Sequence, residues 1–582
     1  MRTAVVLFAI GVCMSAASAQ ENWKQQFAKI SDEYSDQVYF HYAPSAGTQA
    51  GFHKYDSQLE NFSRKSIDAE IATLHGFEKR LLAIEPDNSP ADFVPRTDRE
   101  LVLNNIHSQL LTLEVIKPWQ KNADNYSSAC ASGAFVLMER NFAPLDDRLH
   151  SLVAREKQMP VLLAAAHENL QNPPRIFTEI AIEQLPDIVS FFAHDVPQAF
   201  AAAQDPALKS EFASTNAAVI AALNDYLAWL KSDVLARSNG DFRIGADTFR
   251  KKLAYDEMVD LPLDKLLEIG WANMRENQEH FRQVAAELEP GKDPLAVLEE
   301  LGADHPAPDQ LMNAFRARFD GLVGFIRAHR IVTLPSDVRP ILEESPPFMR
   351  ATTTASMDTP GPYETHATEA YFNVTLPDPG WSEADVEGYM HGFNVGTIVS
   401  TAVHEAYPGH YVQFLWLPQA PSKVRKLLGA NTDVEGWAHY CEQMILDQGY
   451  GQPGAGAKDE REAKLLRLGQ LQDALLRNAR FIVGIEMHTG KMTMEEAEAF
   501  FQKEGYQSKE NAVVETKRGT GDPTYLYYTL GKLEIMKLRE DVKKKEGAAF
   551  SIEKFHDDFL RQGFPPIKIV REAMLGDDSP TL

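Results

Sequence analysis

Apolar residues return every three to four positions through much of this chain, the spacing that gathers them on one face of an α-helix. Between residues 66 and 84 they fall at Ile67, Ile71, Leu74, Phe77, Leu81 and Leu82. The same period runs through residues 100–115, 217–230, 262–288, 309–329, 463–488, 494–503 and 525–543. Each stretch is bounded by Pro, Gly or Asp/Asn clusters of the kind that end helices. There is no fixed-period repeat and no low-complexity tract. The pattern predicts a mainly α fold.

One segment breaks the rhythm. Residues 336–380 are rich in Pro, Thr and Ser and read as loops with short extended pieces. Within it, residues 369–376 (Glu-Ala-Tyr-Phe-Asn-Val-Thr-Leu) are the best strand candidate. They are expected either to offer an edge to which an extended peptide adds as a further strand, or to form an ordinary packed hairpin. No flexible linker is evident. Residues 20–582 therefore read as one large helical domain, with a helical half at about 20–335 and a half carrying the chemistry at 336–582.

The N-terminus changes the picture of where this fold works. Arg2, an apolar run from Ala4 to Met14 and Ala17-Ser18-Ala19 form a signal-peptide pattern over residues 1–19. About 11 apolar residues are too few to span a bilayer, so no stable membrane insertion is expected. The mature chain would be periplasmic or secreted. It keeps only Cys130 and Cys441, too few for a disulfide scaffold or a thiolate zinc cluster; either the two pair or, the preferred reading, both are buried free thiols. The net charge is -25, which repels phosphate backbones and excludes nucleic acid as a partner.

The candidate chemistry lies just after the strand, in His404-Glu405-Ala406-Tyr407-Pro408-Gly409-His410. A histidine followed by a glutamate resembles the start of the short zinc-protease motif, but there the second histidine comes four residues after the first. Here the interval is six. On an unbroken helix that turns His410 about 120° away from His404. Pro408 removes a helix hydrogen bond and Gly409 tolerates unusual backbone angles. Either a kink or widened turn returns His410 to a shared metal, or the helix ends at Tyr407 and His410 does something else. A hydrolytic zinc needs three protein ligands and an open position. Asp433-Val434-Glu435-Gly436-Trp437-Ala438-His439-Tyr440-Cys441-Glu442 offers Glu435 as the third. Glu435, His439 and Glu442 share a helix face, so Glu442 or His439 can orient a ligating histidine. Glu405 is placed to be the general base.

Together these motifs resemble the bacterial "domain of unknown function 885" family. The likeness runs over nearly the whole mature chain. It starts at Gly51-Phe52-His53-Lys54-Tyr55-Asp56, continues through residues 480–488 and closes at Asp522-Pro523-Thr524-Tyr525-Leu526-Tyr527-Tyr528-Thr529-Leu530-Gly531-Lys532-Leu533. That family is similar to gluzincin-type zinc metallopeptidases. The resemblance implies a helical metallopeptidase-like fold with a central cleft and a small β element beside the active site. It implies Zn2+ held by His404, His410 and Glu435, with Glu405 as base. Two positions depart from the common pattern: Tyr411 stands where many members carry a second histidine, and Gly484 where many carry Asp. Related helical peptidases use a downstream tyrosine as oxyanion donor. Tyr528 is the expected donor, with Tyr525 or Tyr527 as fallback and Tyr525, Tyr528 and Lys532 on one helix face. Lys517 or Arg518 could bind a substrate C-terminal carboxylate, which would make the enzyme a carboxypeptidase.

The expected function is therefore a periplasmic or secreted zinc-dependent metallopeptidase acting on short peptides. The alternatives are a metal-free peptide-binding protein on a peptidase scaffold, and a zinc hydrolase of a non-peptide amide or ester.

Overall fold

The periodic stretches fold as the helices they predict, and others join them. The computed structural model describes residues 23–87, 89–346, 350 and 353–582; the expected signal peptide lies outside the described residues. The helices used below are α1 (Arg64–Leu82), α2 (Phe93–Leu110), α3 (Asp124–Met138), α4 (Leu145–Glu156), α5 (Met159–Asn169), α6 (Arg175–Ser190), α7 (Pro206–Trp229), α8 (Leu263–Leu288), α9 (Pro294–Gly302) and α10 (Leu311–Ala328). A small sheet follows, with β1 (Ile341–Glu344), β2 (Ala355–Asp358) and β3 (Tyr371–Val374). The C-terminal part holds α11 (Glu383–Met390), α12 (Val395–Glu405), α13 (His410–Trp416), α14 (Asn431–Asp447), α15 (Glu460–His488), α16 (Met494–Lys503), α17 (Lys509–Gly521), α18 (Tyr527–Glu546), α19 (Ile552–Leu560) and α20 (Ile567–Leu575). About 70% of the structure is helical and 3% strand, so the fold is mainly α.

Local sequence explains the ends. Ser63 caps α1 by accepting from Ser66 N, and the helix buries Ile67, Leu74, Phe77 and Leu81, the stripe read from the sequence. Ser382 and Asp385 form a reciprocal capping box at α11, and Asn394 caps α12 through Gly396 N and Thr397 N.

Among the described residues, three of the hydrophobic cores organise the parts discussed below. The first joins α3 to α7 around Tyr126, Leu149, Phe192 and Leu223. A second unites α8 with α15 and α18 around Met274, Phe281, Ile482 and Tyr528. The third packs α10, β3, α12, α14 and α19 around Phe319, Phe372, Val403, Trp437 and Phe559. The second and third cores thus cross between the helical half and the half that carries the histidine motif.

The strand at residues 369–376 forms as β3, but it is not an edge. It pairs parallel with β1 (Ile341↔Tyr371) and antiparallel with β2 (Ala355↔Val374). Both of its backbone edges are used, so the expected addition of a peptide strand to β3 is corrected. The edges belong to β1 and β2, and β2 packs against α12.

Glycine pairs set the helix spacing beneath the site. A Cβ on Gly531 of α18 would lie 1.9 Å from the Thr432 carbonyl oxygen of α14, and one on Gly436 would lie 2.7 Å from Gly531 Cα. A Cβ on Gly469 of α15 would lie 2.3 Å from the Gly396 carbonyl carbon of α12. No real side chain tolerates such distances. Helices α14 and α18, and α12 and α15, therefore touch backbone to backbone. Among the described residues no helix is long and apolar enough to cross a membrane.

Candidate metal centre

The odd spacing of the two histidines is resolved by a break rather than a kink. Helix α12 ends at Glu405, the Tyr407–Pro408 peptide is cis, and α13 begins at His410 itself. Gly409 makes the return possible. Its N–H donates to Val403 O at 2.9 Å, and a Cβ there would lie 1.8 Å from His404 O. Trp437 of α14 holds the connection by donating Nε1–H to Pro408 O at 3.0 Å. Of the two sequence expectations, the continuous kinked helix is corrected. The helix does end, yet His410 still comes back to His404: the two imidazoles stand edge to face with centroids 4.8 Å apart.

Glu435 on α14 meets both rings. Its Oε2 lies 3.3 Å from His404 Nε2 and 3.3 Å from His410 Nε2. A tetrahedral cation with bonds of about 2.0–2.2 Å needs ligand atoms roughly 3.3–3.6 Å apart. These three donors lie within 4.8 Å of one another, and Glu435 Oε2 is buried without a hydrogen-bond partner. The donor set and spacing fit zinc.

A second layer fixes the first. Glu442, one helix face along from Glu435, accepts from His404 Nδ1 at 2.7 Å and from His439 Nδ1 at 3.0 Å. Burial opposes its charge, but Arg477, with Nη2 3.2 Å from Oε1, together with both histidines, holds its carboxyl well below the usual range. An ionised Glu442 accepts only, so His404 Nδ1 carries a proton and Nε2 is the nitrogen that faces Glu435. Burial lowers the His404 pKa, but the two flanking carboxylates outweigh it and carry it up to about 9. Burial also opposes charge on Glu435, and the two histidines overcome it, leaving that carboxyl well below its usual range. A ring caught between two anions is a place where a cation can replace a proton. His439 orients no ligand. It sits on the other oxygen of Glu442, and burial lowers its pKa to about 3. His410 Nδ1 has no comparable partner.

Glu405, the last residue of α12, is buried beside His404 and adds its charge to that ring. Tyr528, near the start of α18, is buried with its ring 6.3 Å from that of His404. Its hydroxyl oxygen accepts from Arg518 Nη2 at 3.0 Å. Arg480 stacks 4.9 Å from the Tyr528 ring centre and is itself clamped by Glu515 through two bonds of 2.6 and 2.7 Å.

Several expectations fail here. Tyr525 precedes α18 instead of sharing its face with Tyr528. Its ring fills the space left by two glycines: a Cβ at Gly484 would lie 2.9 Å from Tyr525 Cε1, and one at Gly519 would lie 2.3 Å from the hydroxyl. It is a packing residue, and Gly484 is what accommodates it. Tyr527 donates to Asp522 at 2.7 Å. Tyr411 donates to Val338 O at 2.8 Å. Lys517 reaches out to Glu183 at 2.6 Å, so of the basic pair only Arg518 faces Tyr528. Cys130 and Cys441 are buried and free, as expected.

Sequence reasoning missed Arg477, Arg480 and Glu515, and with them Asp473, whose Oδ1 lies 3.6 Å from Arg477 Nη1. The signal was present: residues 473, 477 and 480 repeat on α15 the i, i+4, i+7 ionisable pattern that singled out Glu435, His439 and Glu442 on α14.

The family described as "Bacterial protein of unknown function (DUF885)" matches residues 44–574. A solved structure of a proposed lipoprotein of unknown function from Shewanella oneidensis is 28% identical, with a TM-score of 0.76, covering 94% of this chain and 99% of that one. A second, of a proposed lipoprotein from Colwellia psychrerythraea, is 16% identical with a TM-score of 0.78, covering 96% and 99%, and shows the same fold. No curated protein matches the chain.

Proposed function

The chain belongs to the DUF885 family, and from its donor geometry we propose that it is an extracytoplasmic zinc-dependent hydrolase of short peptides. The observation that carries this is the convergence of His404 Nε2, His410 Nε2 and Glu435 Oε2 at tetrahedral spacing, with a carboxylate, Glu405, next to the first ligand. The lipoprotein descriptions of the two solved relatives support a place outside the cytoplasm.

Zinc held there would supply a water with a pKa near 7 and a Lewis acid for a substrate carbonyl. The protein's own groups do the rest. Glu442 keeps the His404 proton on Nδ1. The Glu405 carboxylate takes the proton of the attacking water and can return it to the leaving amine. Tyr528 accepts from Arg518, so its own O–H remains free to donate to the oxygen on which negative charge develops. Burial of this cluster strengthens each of these interactions. The sequence likeness to gluzincin-type peptidases belongs to the same reading. Arg518 carries the finer one, a carboxypeptidase. Its side chain is 30% exposed and its nearest carboxylate, Asp522, is 3.9 Å away, so it retains donors for a substrate carboxylate.

A peptide-library digest read by mass spectrometry tests the proposal, with Glu405→Gln as control. Zinc-dependent cleavage lost in the variant is expected. Equal cleavage by both proteins would remove Glu405 as base, and tight peptide binding without zinc or cleavage would favour a binding protein.

A further inference from the structure

Among the described residues, two clusters of three or more His, Cys, Asp or Glu donors lie within 4.8 Å of one another. One is the His404 centre. The other is His305, Glu387 and His391, at the junction between α9 and the segment that leads into α12. Sequence spacing does not join the two histidines, since His305 lies 86 positions before His391.

The second cluster has the geometry of a ligand set. Glu387 Oε1 lies 3.3 Å from His305 Nε2 and 3.5 Å from His391 Nε2. Those are the edges expected of a tetrahedron with zinc-length bonds, about 3.3–3.6 Å. The His305 tautomer is right as well. His305 Nδ1 donates to Pro306 O at 2.9 Å, which leaves the Nε2 lone pair facing Glu387. His391 turns Nδ1 toward Glu299 Oε1 at 3.8 Å, the side on which an outer carboxylate would hold its proton. Metal-ligating imidazoles are commonly oriented in this way. Glu387 and His391 are four residues apart and share one helix face. Gly302, the last residue of α9, gives the His391 ring its place, since a Cβ there would lie 3.1 Å from the ring.

We propose that His305, His391 and Glu387 form a second site for a zinc-class divalent cation, separate from the His404 centre. Two imidazoles with one carboxylate select zinc and similar transition metals over magnesium or calcium. The ion would tie the end of α9 to the turn before α12. That helix carries His404 about 14 Å from its first residue, Val395, at 1.5 Å per residue. The site therefore acts as a staple between the helical half and the element that presents the first ligand of the main centre. It does not rest on any chemistry at that centre.

The test is zinc stoichiometry of the mature chain after chelation and equilibrium dialysis, with magnesium as control. Wild type is expected to bind two zinc ions, His305→Ala/His391→Ala one, and His404→Ala/His410→Ala one. Glu387→Gln alters a side chain 59% exposed and so preserves the fold; it should weaken the second site by about tenfold or more. If His305→Ala/His391→Ala binds as much zinc as wild type, the cluster is a histidine–glutamate ion pair only and the proposal is overturned. If wild type binds one ion and loses it only through His305→Ala/His391→Ala, this site stands and the His404 centre does not.

Discussion

Glu442 Oε1 lies 2.7 Å from His404 Nδ1 and thereby decides which nitrogen of that ring faces Glu435. The bond also explains why Glu442 is fully buried: it satisfies two histidines and Arg477 at once. Glu442→Gln offers a hydrogen-bond donor to Arg477 or to an imidazole N–H and disturbs the tautomer. Zinc affinity at the His404 centre is expected to fall 10–100-fold, measured by competition with a chelating dye. Unchanged affinity would mean that the orientation of His404 is set elsewhere.

Glu405→Gln separates binding from chemistry. Glu405 touches neither Glu435 nor His410 in the hydrogen-bond network, so zinc content should match wild type. Turnover should drop about 10²–10⁴-fold, the usual worth of a placed general base. Loss of zinc together with activity would make Glu405 a structural residue.

The tyrosines should part company. Tyr528→Phe is expected to lower kcat by about 10²–10³-fold with little change in KM. Tyr525→Phe removes a hydroxyl that lies in the core between Gly484 and Gly519 and should leave kcat within a few fold. Steady-state kinetics on one peptide substrate compares them directly.

Gly531→Ala probes the helix crossing that delivers Glu435. The added methyl would meet the Thr432 carbonyl, so α14 and α18 must separate. Overpacking of this kind costs about 1–3 kcal/mol or more. Urea denaturation should show it, and zinc affinity should fall with it because Glu435 rides on α14.

Acid lability has a named source. Burial depresses His556 to about 3. Its Nδ1 donates to Ile331 O at 2.7 Å, and its Nε2 accepts from the Tyr440 hydroxyl at 2.9 Å. The folded-state pKa lies below the unfolded value of 6.5. Unfolding therefore takes up a proton below pH 6.5, and stability falls as pH drops through the range from 6.5 to 3. Between pH 6.5 and 5 the loss is about 2 kcal/mol. His556→Gln should flatten the pH dependence of the urea midpoint by about one proton. An unchanged slope would assign the lability to other groups.

Much of this was legible in the sequence. Helices with a clean apolar stripe, such as α1 and α8, need only period and caps. The donor set was legible because ligand types are few and Glu435, His439 and Glu442 repeat at helical spacing. Helix α3 was harder: its Ala, Ser and Gly positions are buried without an apolar signature. The centrality of β3 depends on β1 and β2, strands of only four residues each, too short for an alternation to mark them in the sequence. The route of His410 depends on Gly409 packing against the end of α12, a tertiary contact that spacing alone cannot give. The packing role of Tyr525 depends on Gly484, which is distant in sequence, as well as on the nearby Gly519.

The central claim is that His404, His410 and Glu435 hold one ion. The most direct measurement is anomalous diffraction at the zinc edge from crystals of the zinc-loaded protein. The account predicts a peak about 2.0–2.2 Å from His404 Nε2, His410 Nε2 and a Glu435 oxygen. A peak bound by only one of them, or none within reach of the three, would contradict it.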